Sequence, residues 1–114
     1  MNDNKKLSFD HIEIITRNSK KVLEIESREI LNAKKNIDEH FAEFVLKVHK
    51  CKGRTILSGM GKSGHIARKI ASTLSSTGTP SFFMHPGEAS HGDLGMITKD
   101  DVVIFLSNSG ESNE

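Results

Sequence analysis

Glycine and proline are confined to one part of this 114-residue chain, since all nine glycines and both prolines lie at or after Gly53. The first 52 residues contain neither, and they hold 20 of the 31 charged side chains. Because glycine and proline interrupt regular structure, this shift indicates a change of architecture. We therefore expect a helical region at residues 1–52 and a different region at 53–114, both within one structural unit of single-domain length.

The first region has the periodicity of amphipathic helices. Apolar side chains recur at alternating steps of three and four residues, and Ser19 and Glu26 fill the gaps. A run this long predicts a break, and Asn36 followed by Glu39 resembles a capping box that would begin a second helix. The pattern favours two antiparallel helices that pack together or dimerise. The apolar positions are Ile12, Ile15, Val22, Ile30, Ala33, Ile37, Phe41, Phe44 and Val48.

The second region alternates between strands and helices. Short apolar runs predict strands at residues 54–58, 81–84 and 102–106, and a helical period predicts a helix at 63–77 with Gly78 as its C-cap. This order predicts an α/β fold, in which N-terminal helices precede a parallel sheet with right-handed crossovers. Ligands of such sheets bind at the carboxyl ends of the strands.

Two of the loops at those ends have the composition of an anion site. The glycines of residues 59–64 match a dinucleotide fingerprint, but the acidic residue expected about 20 positions later is missing, and a P-loop would need glycine where Ile56 stands. The segment still combines a glycine turn, a helix N-terminus and the positive charge of Lys62, and together these features predict an anion site. The alternative is a tight turn with no ligand. The serine-rich residues 107–112 form the second candidate phosphate cradle.

The loop at residues 85–95 contains two histidines and two carboxylates. These groups suit proton transfer or metal binding. The spacing of His85 and His91 matches no known zinc template, and no cysteine joins them, so a structural zinc site is not expected. The alternative is a polar loop that caps the sheet.

Composition and charge exclude several classes of partner. The formal charge is +1 and no run of like charge exceeds two residues, so neither nucleic acid nor an anionic membrane is an expected partner. The longest apolar run, residues 102–106, is far too short to span a bilayer. A single cysteine, Cys51, and an N-terminus without a secretory signal fit a reducing cytoplasm.

Four segments together closely resemble the arabinose 5-phosphate isomerase family, whose core is the sugar isomerase (SIS) domain: residues 59–65, 76–83, 85–96 and 107–112. The resemblance implies a parallel sheet flanked by helices, with a flavodoxin-like order. It also implies interconversion of D-ribulose 5-phosphate and D-arabinose 5-phosphate, at the entry to Kdo and lipopolysaccharide synthesis. Members of the family are cytoplasmic tetramers that need no cofactor, and zinc inhibits some of them.

The resemblance also assigns roles to residues of this sequence. It makes Lys62 the catalytic lysine and Glu114 the first catalytic glutamate, a pairing suited to an enediolate mechanism that needs a base and a positive group. His85 would also be the residue that contacts inhibitory zinc. The implied substrate contacts are Gly78, Thr79, His85 and His91, together with Ser107, Ser109 and Ser112 of the phosphate loop.

The sequence departs from the family pattern at Glu114, because the family's domain continues well beyond that point. A second catalytic glutamate and a catalytic histidine, both downstream in the family, have no counterpart here. We therefore expect a truncated isomerase that binds a sugar phosphate but is inactive alone. The alternatives are a non-catalytic sugar-phosphate-binding or interaction module, and one half of a split enzyme that pairs with a separately encoded C-terminal half.

Overall fold

The computed structural model describes residues 8–89 and 92–111. Helices precede a parallel sheet, as the sequence predicts, and the chain divides into two compact units, residues 1–41 and 42–114. None of the helices in the described part of the chain is long and apolar enough to cross a membrane. The elements are α1 (Phe9–Ala33), a 3-10 turn (Lys34–Asn36), α2 (Glu39–His49), β1 (Thr55–Gly59), α3 (Gly61–Ser76), β2 (Ser81–Phe83), α4 (Pro86–Ala89), a second 3-10 turn (Asp93–Met96) and β3 (Val102–Leu106).

The predicted break in the N-terminal helical region is present, but its cap is a different residue. The Ser8 hydroxyl accepts a hydrogen bond from the His11 amide at 3.4 Å and begins α1. A 3-10 turn ends that helix, and α2 begins where Asp38 Oδ1 accepts a hydrogen bond from the Phe41 amide at 3.1 Å. The prediction that Asn36 caps α2 is therefore wrong, because the 3-10 turn incorporates Asn36 and leaves the carboxylate of Asp38 at the N-cap position.

The sheet has three parallel strands in the order β2-β1-β3. Every residue of the central strand β1 is buried, which explains its continuous run of apolar and small side chains. Gly59 at the end of β1 lies beside Leu106 at the end of β3, so the loops that follow these strands leave the same edge of the sheet. This arrangement confirms the α/β fold predicted from the sequence.

The core lies between α3 and one face of the sheet. Small side chains on α3, Ala67 and Ala71, let the helix approach Leu57 of β1, and all three residues are buried. Four partly buried side chains complete the cluster: Leu74, Phe83, Ile104 and Leu106. Close packing of small residues on the helix against large residues on the sheet positions the first turn of α3 against the end of β1.

Two polar contacts tie the strands together away from this core. The carboxylate of Asp101 accepts hydrogen bonds from the backbone amides of Arg54, at 2.6 Å, and Thr98, at 2.7 Å, and so joins the start of β1 to the start of β3. The buried hydroxyl of Ser58 donates to the backbone carbonyl of Met84 at 2.7 Å and joins β1 to the end of β2. Satisfied polar groups of this kind fix the register of buried strands.

Candidate sugar-phosphate site

The turn between β1 and α3 forms one wall of the candidate site. Gly61 has a φ of +52°, which an L side chain rarely adopts, and Met60 is the N-cap residue of α3 without a side-chain hydrogen bond to the first turn. The amides that begin α3 therefore have no capping side chain, and Lys62 adds an exposed positive charge next to them. A helix N-terminus with a cation beside it attracts an anion.

The turn after β3 forms the opposite wall. Gly110, with a φ of +70°, reverses the chain. Its amide donates to the Ser107 hydroxyl oxygen at 2.9 Å, and the amide of Glu111 donates to the Ser109 hydroxyl oxygen at 3.2 Å. Because each serine oxygen already accepts a backbone hydrogen bond, its own O–H remains a donor for an anionic ligand.

These two turns enclose a cavity of about 370 Å³ at the carboxyl edge of the sheet. The structure thus brings Gly59, Met60 and Ser63 together with the serine turn, as expected for a crevice at the carboxyl ends of parallel strands, whereas the exposed Lys62 is not among the lining residues. The volume lies in the usual range of small-ligand sites. The lining residues are Gly59, Met60, Ser63, Pro86, Phe105, Leu106, Ser107, Asn108, Ser109 and Gly110.

His85 follows β2 at the same edge of the sheet. Its Nδ1 accepts a hydrogen bond from the amide of Gly87 at 3.1 Å, and its ring meets the ring of Phe83 edge-on, with the centroids 6.4 Å apart. Nδ1 is thereby engaged, which leaves Nε2 as the nitrogen for a ligand. Within residues 8–89 and 92–111, no cluster of three potential metal ligands includes His85, and the zinc contact at this residue stays a prediction.

Gly78 and Thr79 lie at the other edge of the sheet. Gly78, with a φ of +94°, follows the last turn of α3, and the Thr79 amide donates to the Leu74 carbonyl at 2.9 Å. The position of Gly78 agrees with its expected role in ending the helix. Since α3 runs back from the carboxyl edge to the amino edge, the fold of one chain does not place these residues beside Lys62. Their contact with substrate stays a prediction.

Three further candidates lie outside the described residues: His91, Ser112 and Glu114. The predicted roles of His91 and Ser112 as substrate contacts and of Glu114 as a catalytic base therefore stay predictions. Glu111, which precedes Ser112 and Glu114, is exposed and uses its backbone amide in the serine turn.

Sequence reasoning missed two residues that line the cavity, Phe105 and Leu106, because both belong to strand β3 and not to one of the candidate loops. Phe105 is 69% exposed, although it belongs to a five-residue apolar strand of the kind that is usually buried. The alternation of side chains along a strand could have indicated this exposure. Ile104 and Leu106 face α3, so the residue between them faces the other side of the sheet. An apolar side chain there can contact the carbon skeleton of a ligand whose polar groups meet the turns.

Comparison with known proteins identifies the family of this chain. The family model described as the SIS domain matches residues 47–114, more than half of the chain and the whole of the described cavity. A solved Escherichia coli CFT073 protein, in complex with arabinose 5-phosphate, has a TM-score of 0.78 and 45% sequence identity, and the match covers 98% of this chain and 55% of that one.

Two curated relatives carry the same name. The arabinose 5-phosphate isomerase KdsD of Salmonella typhi is 57% identical over 95 residues, which make up 83% of this chain and 29% of that protein. KdsD of Francisella tularensis is 59% identical over 95 residues, covering 81% of this chain and 28% of that protein. This chain therefore spans less than a third of the length of the curated relatives that it matches. The resemblance found in its motifs is confirmed: the chain belongs to the SIS domain family.

Proposed function

We propose that this chain binds the phosphate end of a pentose phosphate in the crevice between the two turns, as part of an isomerase of the arabinose 5-phosphate type. The observation that carries the proposal is the juxtaposition of the uncapped N-terminus of α3 with the serine turn after β3. Both walls present hydrogen-bond donors to one small cavity.

The donor set suits a phosphate. The phosphate oxygens accept hydrogen bonds from the backbone amides of the first turn of α3 and from the hydroxyls of Ser63, Ser107 and Ser109. The positive charge of Lys62 offsets part of the negative charge of the phosphate. Phe105 lies along the same cavity and meets the sugar carbons. Ser112, outside the described residues, is proposed as a further contact of the same loop.

The chemistry of the proposed reaction assigns tasks to two residues. Isomerisation between D-ribulose 5-phosphate and D-arabinose 5-phosphate moves a proton between C1 and C2 of the sugar through an enediolate. Glu114 is proposed as the base that carries the proton, and Lys62 as the cation that stabilises the negative oxygen. We propose that no cofactor takes part, that Gly78, Thr79, His85 and His91 contact the sugar, and that the product supplies Kdo and lipopolysaccharide synthesis in the cytoplasm.

We expect the 114 residues to bind substrate without turning it over. The named isomerases have much more chain than these residues supply, since the match covers 29% of the Salmonella typhi protein. The residues that complete catalysis are proposed to lie in the unmatched part of that length, in the intact oligomer or in a separately encoded C-terminal half. Isomerase activity that appears only when such a polypeptide is added would support a split enzyme.

Binding is tested by titrating the isotope-labelled chain with arabinose 5-phosphate, inorganic phosphate and arabinose, and following backbone amide resonances. We expect shifts in residues 59–64 and 107–111 with both phosphates and none with arabinose. Lys62→Ala should weaken phosphate binding by about tenfold, the scale of one charge-assisted contact.

Lys69→Ala is the matched control, because Lys69 is an exposed lysine two turns further along α3. The affinity of the Lys69→Ala variant for phosphate should stay within about twofold of the affinity of the parent chain. Equal losses in the two variants, or shifts confined to residues outside the crevice, would contradict the proposed site. Binding without turnover, alone and with added polypeptides, would favour a non-catalytic module instead.

A further inference from the structure

An arginine of α3 covers an aromatic ring that lies beside His85. The guanidinium carbon of Arg68 is 4.2 Å from the centroid of the Phe83 ring, well within the range of a cation–π contact. The Phe83 ring in turn stands at 76° to the imidazole of His85, with the centroids 6.4 Å apart. These contacts form a continuous row from α3 through β2 to the residue that follows β2, and all of them lie within one compact unit.

The geometry of α3 explains why Arg68 reaches this ring. Gly64 lies four residues before Arg68, so both positions are on the same face of the helix. A Cβ atom on Gly64 would lie 3.6 Å from Cζ of Phe83, so the tip of the ring rests against this turn. Long side chains on a helix point back toward its N-terminus, and that direction brings the Arg68 guanidinium over the ring. Within residues 8–89 and 92–111, no carboxylate forms an ion pair with Arg68, so the contact with the ring does not compete with one.

The imidazole of His85 needs two contacts to hold one orientation. Its Nδ1 accepts a hydrogen bond from the Gly87 amide at 3.1 Å, but a single hydrogen bond can persist while both side-chain torsions change together. The perpendicular Phe83 ring supplies the second contact, in a geometry that aromatic pairs prefer. The terminal torsion of phenylalanine is itself only weakly restricted, so the Phe83 ring needs a group on its face to stay in place. Arg68 supplies that group.

We propose that Arg68 is a positioning residue for the binding of the sugar: it holds the Phe83 ring, and the ring holds the His85 imidazole so that Nε2 stays available to a sugar oxygen. The inference rests on the proposed function, in which His85 contacts the sugar. The role differs from the one proposed for Lys62, whose charge acts on the phosphate. Loss of a positioning residue of this kind weakens the binding of a sugar phosphate and leaves the binding of inorganic phosphate unchanged.

The orientation of His85 is measured first, without ligand, from the imidazole resonances of the labelled chain at about pH 8.5, where an ordinary imidazole is neutral. Arg68→Met removes the guanidinium but keeps a long side chain, and the ring-current shifts of the His85 protons should fall by about half or more. Arg68→Lys should retain most of these shifts, because an ammonium group also binds the face of an aromatic ring. The matched control Lys69→Met removes an exposed charge from the next position of α3 and should leave the His85 resonances unchanged. Unaltered His85 resonances in Arg68→Met would overturn the proposal.

Affinities then separate positioning from a general effect of charge. Arg68→Met should weaken the binding of arabinose 5-phosphate about fivefold, the scale of one neutral hydrogen bond, and should leave the affinity for inorganic phosphate within about twofold of the parent value. Equal losses for the two ligands would mean that Arg68 acts through its charge alone, and that result would refute the positioning role. If the parent chain binds neither ligand, the proposed function fails, whereas the ligand-free resonances of His85 still test the contact with Arg68.

A double-mutant cycle tests whether Arg68 acts through Phe83. Phe83→Leu keeps an apolar side chain but removes the ring face, so Arg68→Met should have less than about twofold further effect on the binding of arabinose 5-phosphate in that background. Phe83→Tyr keeps the ring, and in that background Arg68→Met should cause its full loss. A direct contact between Arg68 and the ligand would instead give the same loss in all backgrounds and would contradict the proposal. If Phe83→Leu does not fold, the substitutions at Arg68 still decide the question, because Arg68 is exposed.

Discussion

Gly64 lies in the first turn of α3, where the helix comes closest to the end of β1. A Cβ atom built on Gly64 would lie 2.5 Å from the carbonyl oxygen of Gly59 and 3.2 Å from its carbonyl carbon. Both are backbone atoms of the central strand, so no side chain can rotate away to make room. Gly64→Ala therefore forces α3 and β1 apart by nearly an ångström, because unstrained carbon contacts begin at about 3.5 Å.

Two effects of opposite sign determine the size of the loss. Overpacking a well-packed contact costs about 1–3 kcal/mol, and a clash between backbone atoms belongs at the upper end of that range. Alanine is favoured over glycine inside a helix by about 1 kcal/mol. The net expectation is a loss of about 2 kcal/mol in the free energy of unfolding. For a unit of this size, such a loss lowers the melting temperature by about 8–16 °C.

The measurement is thermal and urea unfolding of the 114-residue chain, followed by far-ultraviolet circular dichroism. Gly95→Ala is the matched control, because a Cβ on Gly95 meets no atom within 4 Å and its φ is not positive. Gly61→Ala isolates the effect of backbone strain, because a Cβ on Gly61 meets no atom within 4 Å but the φ of Gly61 is +52°. If Gly64→Ala and Gly95→Ala unfold at the same midpoint, close packing at Gly64 does not position α3, and the account of the crevice wall is wrong.

Two further substitutions test the contacts that hold the strands together. Hydrogen bonds from the backbone amides of Thr98 and Arg54 lower the pKa of Asp101 from 3.8 to about 2, so its stabilising effect is complete above pH 4 and disappears as the pH falls through 2. In acid titrations followed by circular dichroism, Asp101→Asn should therefore be less stable than the parent chain at neutral pH, and the difference should shrink towards pH 2. Ser58→Ala removes the buried hydroxyl that donates to a backbone carbonyl, and urea unfolding should show a loss of about 1–3 kcal/mol in the free energy of unfolding. The control Ser76→Ala, at an exposed hydroxyl, should lose less than about 0.5 kcal/mol. Equal losses in the two variants would contradict the importance of the buried contact.

Local patterns in the sequence determined the elements and the general location of the site. The helical period before Gly53, the apolar runs and the glycine turns each depend on residues within a few positions of one another, so they are visible without tertiary structure. The strand at residues 102–106 was predicted with the bounds that the structure has, and the α/β architecture follows from the order of the elements. The two turns at the carboxyl edge were identified from their glycines, serines and Lys62.

Tertiary structure decided the features that depend on residues distant in sequence. Asp101 accepts hydrogen bonds from Arg54, 47 positions away, and no local pattern marks that carboxylate as an anchor. The exposure of Phe105 depends on which face of the sheet α3 covers, and the separation of Thr79 from Lys62 depends on the direction in which α3 returns. The cap of α2 also depended on the conformation of neighbouring residues. Asn36 belongs to the 3-10 turn, so Asp38 and not Asn36 accepts the hydrogen bond from the first turn of α2. Spacing along the chain predicts which groups occur near a strand end, but packing determines which of them face one cavity.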